Sequence, residues 1–517
     1  MRAWRIQASI LMGLWLAGSV AVRGGQSTNV ALEDGIRALK AGEFAQARRI
    51  LSEVAKLSPS AENISYLAMA EAGTGDLAQA IADFQHSIRL GNDSAGVHYN
   101  LGIAYLKSGQ PEDGIRELRL ALARDPKYPA PAYPLGAALL DIGRPREAVP
   151  YLEQARTQSP RNAEIWASLI RAQFEIGNST AALQAVDQAV QAIPGDARLL
   201  VTLADLCLQH GQAQKARFLL ENANEVDPRE PSIALALARV SLQVGEPKEA
   251  LFVLRDLPSE AGKPGETMFL RGEARALTEN LVVADSDLSA AVEADPQNVD
   301  YLIAYAWVKQ LELNYQEALT ILDKARALNA QVPAIHYRAA VNYFSLGKFT
   351  ETIKACEETI QLAPSYAEAH MLMGVVELQK KDFGPAEVDF RHAVTLRPGV
   401  PEFHLLLGVA LYKNDKFEES RKELTRAMDL NPQSAYTYFY RAQVLAHDGE
   451  RQKAIADLET AVALQPHYRK AYTELARLYA VDGQREKAAA ALAKEKTLVH
   501  RDEDENARLL QEVGTLP

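Results

Sequence analysis

Cysteine is nearly absent from this chain. Its 517 residues include only Cys207 and Cys356, too few for a disulfide framework. No Cys-x-x-Cys pair occurs, which excludes the common zinc sites built on such pairs. Because the two cysteines lie many helices apart in the periodic pattern below, we expect two buried, unpaired thiols.

Basic clusters and catalytic motifs are also lacking. The net charge is -11 at pH 7, and there is no Lys/Arg tract, so binding to nucleic acid or to anionic lipid is disfavoured. No phosphate-binding loop, H-E-x-x-H, G-x-S-x-G or EF-hand pattern occurs. We therefore expect a protein that is not an enzyme, with no catalytic residue, cofactor or metal site.

Only one long apolar run occurs, at the N-terminus. Arg2 and Arg5 precede the apolar segment from Ile10 to Val22, which would span about 20 Å as a helix against a hydrocarbon core of roughly 30 Å. Small residues follow, which predicts a signal peptide over residues 1–24 and a periplasmic or secreted protein. The alternative is a short N-terminal anchor in the inner membrane. No membrane span is expected in the mature chain.

Periodicity dominates the rest of the sequence. Prolines share one register of 34 residues, at Pro126, Pro160, Pro194, Pro228, Pro296, Pro364, Pro398, Pro432 and Pro466. Small residues recur twelve positions before this register, as at Ala148, and again twelve positions earlier, as at Gly136. Glycine recurs between them, as at Gly143. Small residues let two helices approach closely and proline ends the second helix, so each period predicts two packed helices joined by a tight turn.

The unit Ala95–Tyr128 carries a known pattern. It contains Leu101, Gly102, Tyr105, Leu118, Ala121 and Pro126. The chain therefore resembles the tetratricopeptide repeat family, in an exported bacterial form. The resemblance implies an all-α fold, an α-α superhelix (solenoid) of about 14 tandem hairpins over residues 28–502, with the first helix of each hairpin (helix A) on the concave face. It also implies a C-terminal capping helix and tail over residues 503–517.

Two stretches depart from the regular unit, residues 127–134 and 258–265. Both are rich in proline, and the second is expected to shorten one second helix. The sequence leaves open whether either is a hinge.

Histidine recurs at one register position, in His98, His336, His370 and His404. The family often fills this position with Trp, as Trp166 does here. Packed helix pairs lie about 8–10 Å apart, too far for imidazoles of successive repeats to share a metal with bonds of about 2.1 Å. We therefore expect hydrogen-bonded packing histidines.

The resemblance also predicts which residues face a partner. In the family, the second, fifth, ninth and twelfth residues of helix A face the groove, and these positions are apolar in the C-terminal half of this chain. The predicted partner-binding residues are Ile303, Trp307, Tyr337, Val341, Phe344, Met371, Val375, Leu378, Leu405, Val409, Tyr412 and Phe439. The alternative is that they only pack between neighbouring A helices. The N-terminal half is more polar there, with Arg171, Asp205, Arg239 and Glu273.

The resulting hypothesis is a non-catalytic protein–protein interaction scaffold. Its expected partner is another protein or a peptide segment, apolar or amphipathic, held in the concave groove. Two alternatives stay open: an accessory subunit of an envelope export or polysaccharide-secretion machine, and the targeting arm of a multi-chain enzyme.

Overall fold

The computed structural model describes residues 26–498, and all helices and turns given below lie within that range. The chain divides into two compact units, Met1–Val244 and Gly245–Pro517. The predicted signal peptide or anchor (1–24) and the predicted capping helix and tail (503–517) lie outside the described residues.

The first unit is built from short helices of similar length. They are α1 (Gln26–Lys40), α2 (Phe44–Leu57), α3 (Ala61–Thr74), α4 (Leu77–Arg89), α5 (Ala95–Lys107), α6 (Pro111–Arg124), α7 (Ala132–Asp141), α8 (Pro145–Gln158), α9 (Ala163–Glu175), α10 (Ser179–Ala192), α11 (Ala197–Gln209), α12 (Ala213–Val226) and α13 (Pro231–Gln243). Successive pairs from α1·α2 to α11·α12 pack as hairpins, and each hairpin packs on the next.

The second unit continues the pattern. Its helices are α14 (Pro247–Leu254), α15 (Glu266–Leu277), α16 (Leu281–Ala294), α17 (Val299–Leu311), α18 (Tyr315–Leu328), α19 (Pro333–Ser345), α20 (Phe349–Leu362), α21 (Ala367–Gln379), α22 (Phe383–Leu396), α23 (Pro401–Lys413), α24 (Phe417–Leu430), α25 (Ala435–His447), α26 (Arg451–Leu464), α27 (Arg469–Val481) and α28 (Arg485–Thr497). The pairs from α15·α16 to α27·α28 are hairpins. The predicted all-α fold of tandem hairpins is confirmed within the described residues.

The turn inside each hairpin needs a left-handed backbone. The recurrent glycines supply it, for example Gly109 with φ 79° and Gly347 with φ 71°. Four repeats adopt the same conformation at the same register position without glycine, at Glu279, Leu313, Lys381 and Asp415, with φ values of 62°, 64°, 65° and 57°. A side chain at positive φ costs energy, so these four turns are strained.

The two series of small residues face each other across each hairpin. A Cβ atom on Gly408 would lie 2.6 Å from Cγ of Leu424. The hydroxyl of Ser420, twelve residues later in the chain, donates a 2.7 Å hydrogen bond to the carbonyl of Gly408. Ala386 and Ala454, at the later small position of other hairpins, are fully buried. Close helix contact is therefore the reason for the predicted small positions.

The irregular stretches shorten two helices. α7, a first helix, has 10 residues against 13 in first helices such as α9, and α14, a second helix, has 8 against 14 in second helices such as α16. Hydrogen bonds hold the second stretch in place: the Thr267 hydroxyl donates to the Ala261 carbonyl at 3.0 Å, and the Tyr301 hydroxyl donates to the Pro264 carbonyl at 3.2 Å. Residues 258–265 are thereby attached to α15 and α17.

Both cysteines are buried and unpaired, as predicted. Cys207 lies on α11 in the first unit, and Cys356 lies on α20 in the second. Burial raises the pKa of the Cys207 thiol to about 11 and also raises that of Cys356. Both thiols are therefore protonated and unreactive near neutral pH.

Candidate partner-binding surface

The predicted binding residues lie on five A helices of the second unit, α17, α19, α21, α23 and α25. Pairs four residues apart, such as Ile303 with Trp307, share one face of their helix. The 34-residue period then places equivalent residues at corresponding positions of successive hairpins. The geometry of the repeat thus brings residues distant in sequence onto neighbouring helices.

Burial divides the predicted set into two halves. Six side chains are buried in the core: Tyr337, Met371, Val375, Leu405, Val409 and Phe439. The other six are partly exposed, and we call them the apolar strip: Ile303, Trp307, Val341, Phe344, Leu378 and Tyr412. Four of the five fifth-position residues belong to the buried group, where they pack between neighbouring helices. Packing therefore accounts for half of the predicted set, and the strip retains accessible apolar surface.

Each strip residue is anchored on its inner side. Phe344 and Leu378 pack against the core that contains Met371 and Val375. Leu378 and Tyr412 pack against the next core, which contains Leu405. Core packing therefore restrains the side chains of the strip. Binding a partner would cost little of their conformational entropy.

Cations lie over two rings of the strip. The guanidinium carbon of Arg338 is 5.4 Å from the Trp307 ring centroid, and the ammonium of Lys413 is 5.4 Å from that of Tyr412. Burial lowers the pKa of Arg338, whose ordinary value is far above neutrality. Neither cation was predicted from the sequence. Arg338 follows Tyr337 at a register position that varies between repeats. Its contact with the Trp307 ring is therefore visible only from the packing of α19 beside α17.

The ring of Tyr412 is supported by further aromatic contacts. It meets Phe417 edge to face, with ring centroids 5.8 Å apart, and Phe417 stacks on His447 at 3.6 Å. Burial, followed by the charge of Glu474, raises the pKa of the Tyr412 hydroxyl. The neutral phenol therefore presents an apolar ring with a polar edge, a combination common at protein interfaces.

Polar residues occupy the equivalent positions on some A helices of the first unit, and some of them are paired there. Arg171 on α9 forms ion pairs with Asp141 at 2.9 Å and with Glu175 at 3.3 Å. Asp205 on α11 has a raised pKa because burial disfavours its charge. On α9 and α11 these register positions are therefore polar, whereas α17, α19, α21 and α23 carry the strip.

The recurrent histidines are hydrogen-bonded packing residues in three of four repeats, as predicted. His404 Nδ1 lies 2.6 Å from a Glu423 carboxylate oxygen, and its Nε2 lies 3.0 Å from the Pro398 carbonyl. His336 makes the same pair of contacts with Glu358 at 2.8 Å and the Ala330 carbonyl at 2.9 Å. These contacts satisfy both ring nitrogens and hold the ring in place.

Two more ring residues at this register position are also held by hydrogen bonds. His98 lies 2.7 Å from Glu117 and 2.7 Å from Asp93, and its pKa is raised mainly by the Glu117 hydrogen bond. Trp166 donates from its ring nitrogen to the Pro160 carbonyl at 2.8 Å. In these repeats a ring nitrogen therefore holds the side chain in place, whereas other repeats carry residues such as Leu200 and Ala234 at this position.

None of the helices in residues 26–498 combines the length and the apolar character needed to cross a bilayer.

Several solved structures are similar to this chain. The crystal structure of the APC/C heterotetramer Cut9–Hcn1 is 17% identical, with a TM-score of 0.45, over 88% of this chain and 96% of that chain. Naa15/Naa10 bound to HypK-THB is 13% identical, with a TM-score of 0.36, over 90% and 99%. Yeast Tom70 is 15% identical, with a TM-score of 0.34, over 94% and 95%. No curated protein matches the chain.

Models of the tetratricopeptide repeat match the sequence directly. One matches residues 32–95, 133–197 and 405–469, and a second matches residues 71–139 and 207–266. Together the matched segments cover more than half of the chain, and they coincide with the helical hairpins described above. The chain belongs to the tetratricopeptide repeat family.

Proposed function

We propose that this chain is a non-catalytic scaffold that holds a segment of another protein against the apolar strip of its second unit. Tetratricopeptide repeats are a scaffold fold typical of protein–protein interaction and multi-subunit complexes. The observation that carries the proposal is the strip itself. Its six side chains recur on α17, α19, α21 and α23, packed on one side and accessible on the other.

The chemistry of the strip favours an apolar or amphipathic partner. Clustered apolar side chains at a surface usually mark an interaction site, and aromatic anchors supply much of the binding energy there. Trp307 and Tyr412 are the largest anchors of the strip. The side-chain cations of Arg338 and Lys413 lie over these rings. Carboxylates or main-chain carbonyls of the partner are therefore suitable hydrogen-bond acceptors for them.

The spacing of the repeats favours an extended segment. Packed helices lie about 8–10 Å apart, and one three-residue turn of an extended polyproline II segment rises by about 9 Å. Such a segment with an apolar side chain at every third residue would therefore offer one side chain to each A helix. Such a segment resembles the extended peptides that other recognition surfaces bind.

Selection of peptides by phage display on the purified full chain tests the proposal. We expect selected peptides to carry apolar residues at intervals of three. The double variant Trp307→Ala with Tyr412→Ala should weaken their binding by at least about tenfold, because each truncation removes an anchor worth roughly 1–2 kcal/mol. Fluorescence polarisation gives the affinities, and circular dichroism checks that helicity is unchanged.

The matched control is Val282→Ala on α16. Val282 is 80% exposed and apolar but lies outside the strip, so its truncation should leave peptide affinity unchanged. Full binding by the Trp307/Tyr412 double variant, or equal loss in the Val282 variant, would contradict the proposed surface.

We also propose that the scaffold works outside the cytoplasm. The basic start and short apolar run within residues 1–24 support export, with the mature chain periplasmic or secreted.

A further inference from the structure

One histidine of the recurrent position differs from the other three. His370 lies on α21, and its Nδ1 is buried without a hydrogen-bond partner. In His98, His336 and His404 the same atom lies within 2.8 Å of a glutamate oxygen. The nearest carboxylate to His370 is Asp389 on α22, at 3.6 Å, beyond the usual length of a hydrogen bond. A buried ring nitrogen is thus left with its coordination capacity unused.

The facing helix supplies two ligand-type residues to this nitrogen. Asp389 is 19 residues after His370, the offset at which Glu117 and Glu423 follow their histidines. His392 is 22 residues after His370, the offset at which Glu358 follows His336. Both positions face the recurrent histidine, and only this repeat of the four fills both with residues that bind metals. Asp389 and His392 are three residues apart, so they share one face of α22.

The three side chains converge. One ligand atom of His370, one of Asp389 and one of His392 all lie within 4.8 Å of one another. The two imidazole ring centroids are 5.0 Å apart. Ligand atoms around a tetrahedral zinc ion lie about 3.3 Å apart, given bonds of roughly 2.0–2.1 Å. Small rotations about side-chain bonds would close the remaining gap.

We propose that His370, Asp389 and His392 form a binding site for a divalent transition-metal ion. Two imidazoles and one carboxylate suit zinc, cobalt or nickel rather than calcium or magnesium, which prefer oxygen ligands alone. Zinc is the ion we assign, with water in the remaining coordination position. The site is distinct from the apolar strip, and it lies within a single hairpin. It therefore escapes the distance limit that excludes a metal shared between successive repeats.

A bound ion would join the two helices of this hairpin. His370 belongs to α21, whereas Asp389 and His392 belong to α22. His392 is exposed at the surface, so the ion has a path from solvent, and His370 and Asp389 have side chains only 15% exposed. The metal would thus cross-link α21 and α22.

Isothermal titration of the full chain with zinc chloride tests the site. The protein carries no affinity tag and is first treated with a chelator and dialysed. We expect one equivalent of zinc to bind. His392→Ala and Asp389→Asn should each lower the affinity by at least about tenfold, because the first removes a ligand and the second replaces a charged ligand oxygen by a neutral one. His392 is exposed and Asp389→Asn preserves shape, so both variants are expected to keep the helicity of the parent chain.

His404→Gln is the matched control. His404 occupies the same register position on α23, but Glu423 and the Pro398 carbonyl already bind its ring nitrogens. Its substitution should leave zinc affinity within about twofold of the parent value. Absence of zinc binding by the parent chain, parent-like affinity in His392→Ala, or equal loss in His404→Gln would overturn the proposal.

Cobalt substitution tests the ligand set. Besides burial, the charge of Asp389 raises the pKa of the Cys356 thiol. This thiol is therefore the alternative ligand to be checked. Cobalt bound by nitrogen and oxygen should give only weak visible absorption bands. An intense near-ultraviolet band typical of thiolate–cobalt charge transfer would overturn the assignment of the three ligands.

Discussion

At the scale of single residues, some hairpin turns place a residue with a side chain in a backbone conformation that favours glycine. The turn position has positive φ in repeat after repeat, and glycine occupies most of these positions. Leu313 adopts φ 64° there, and its side chain is 68% exposed. Its burial gains little, whereas a left-handed backbone costs a residue with a Cβ about 1–2 kcal/mol.

Leu313→Gly is therefore expected to stabilise the hairpin α17–α18. The gain should be roughly 0.5–1 kcal/mol, because relief of strain exceeds the added flexibility of glycine in the unfolded chain. Hydrogen exchange of the amides in α17 and α18, followed by mass spectrometry, measures the change. Leu346→Gly is the control, since Leu346 has an ordinary φ of -85° and should lose stability. Equal protection in both variants would show that φ at this position carries no strain.

The turns also show what the sequence could and could not predict. The recurrent glycines, such as Gly347, predicted a tight turn between the two helices, and the structure shows a left-handed backbone at that glycine. The same conformation at Leu313 and Lys381 was not predicted, because neither residue type favours it. The turn there joins two closely packed helices, and the local sequence carries no signal of that constraint.

At the scale of helices, the small positions set how closely the two helices of a hairpin approach. Ala454 on α26 is fully buried within a core that also contains Ala442 on α25, twelve residues earlier. Ala456 lies on the same helix but is exposed. The two alanines have the same helix propensity and differ in the space around them.

Ala454→Leu should destabilise the hairpin α25–α26, and Ala456→Leu should not. The buried substitution adds three carbons to a filled contact and is expected to cost about 1–3 kcal/mol. The exposed one should stay within about 0.5 kcal/mol. Hydrogen exchange in α25 and α26 compares the variants. Similar protection of the two would mean that the small register is not a close helix contact.

The candidate sites were only partly predictable, because the sequence of one helix does not show which other helices pack against each of its faces. The apolar residues of α17 to α25 were identified from their register, but Met371 and Leu405 are buried by adjacent helices and Trp307 is not. The cluster of His370 with His392 was not predicted, because its members do not share one register position. Its partners lie across the hairpin, on the second helix.

At the scale of the whole molecule, contacts are local along the chain. Within each unit, a helix packs chiefly on the next helix and the next but one. Stability in such an arrangement is approximately a sum of hairpin and interface terms. Cys207 lies in the first unit and Cys356 in the second, and both are buried, so each thiol reports on the opening of its own unit.

Alkylation of the thiols at increasing urea concentration should separate the two units. In Ala340→Leu, which overpacks the core that Ala340 shares with Cys356, we expect Cys356 to become reactive at lower urea than in the parent chain, while the midpoint for Cys207 stays the same. Mass spectrometry of the labelled peptides gives both midpoints from one sample. An equal downward shift at the two cysteines would show that the chain unfolds as one cooperative block.

The ring at the recurrent histidine position has a consequence for the joints between repeats. In Trp166, His336 and His404, a ring nitrogen contacts a carbonyl six residues earlier, in the connection from the preceding hairpin. Each ring therefore fills the space between helices and also forms a hydrogen bond to the preceding connection. Exchange between tryptophan and histidine preserves this hydrogen bond, whereas phenylalanine fills the space without it. One residue type per joint thus gives the chain a means of adjusting the stiffness of each joint independently of its neighbours.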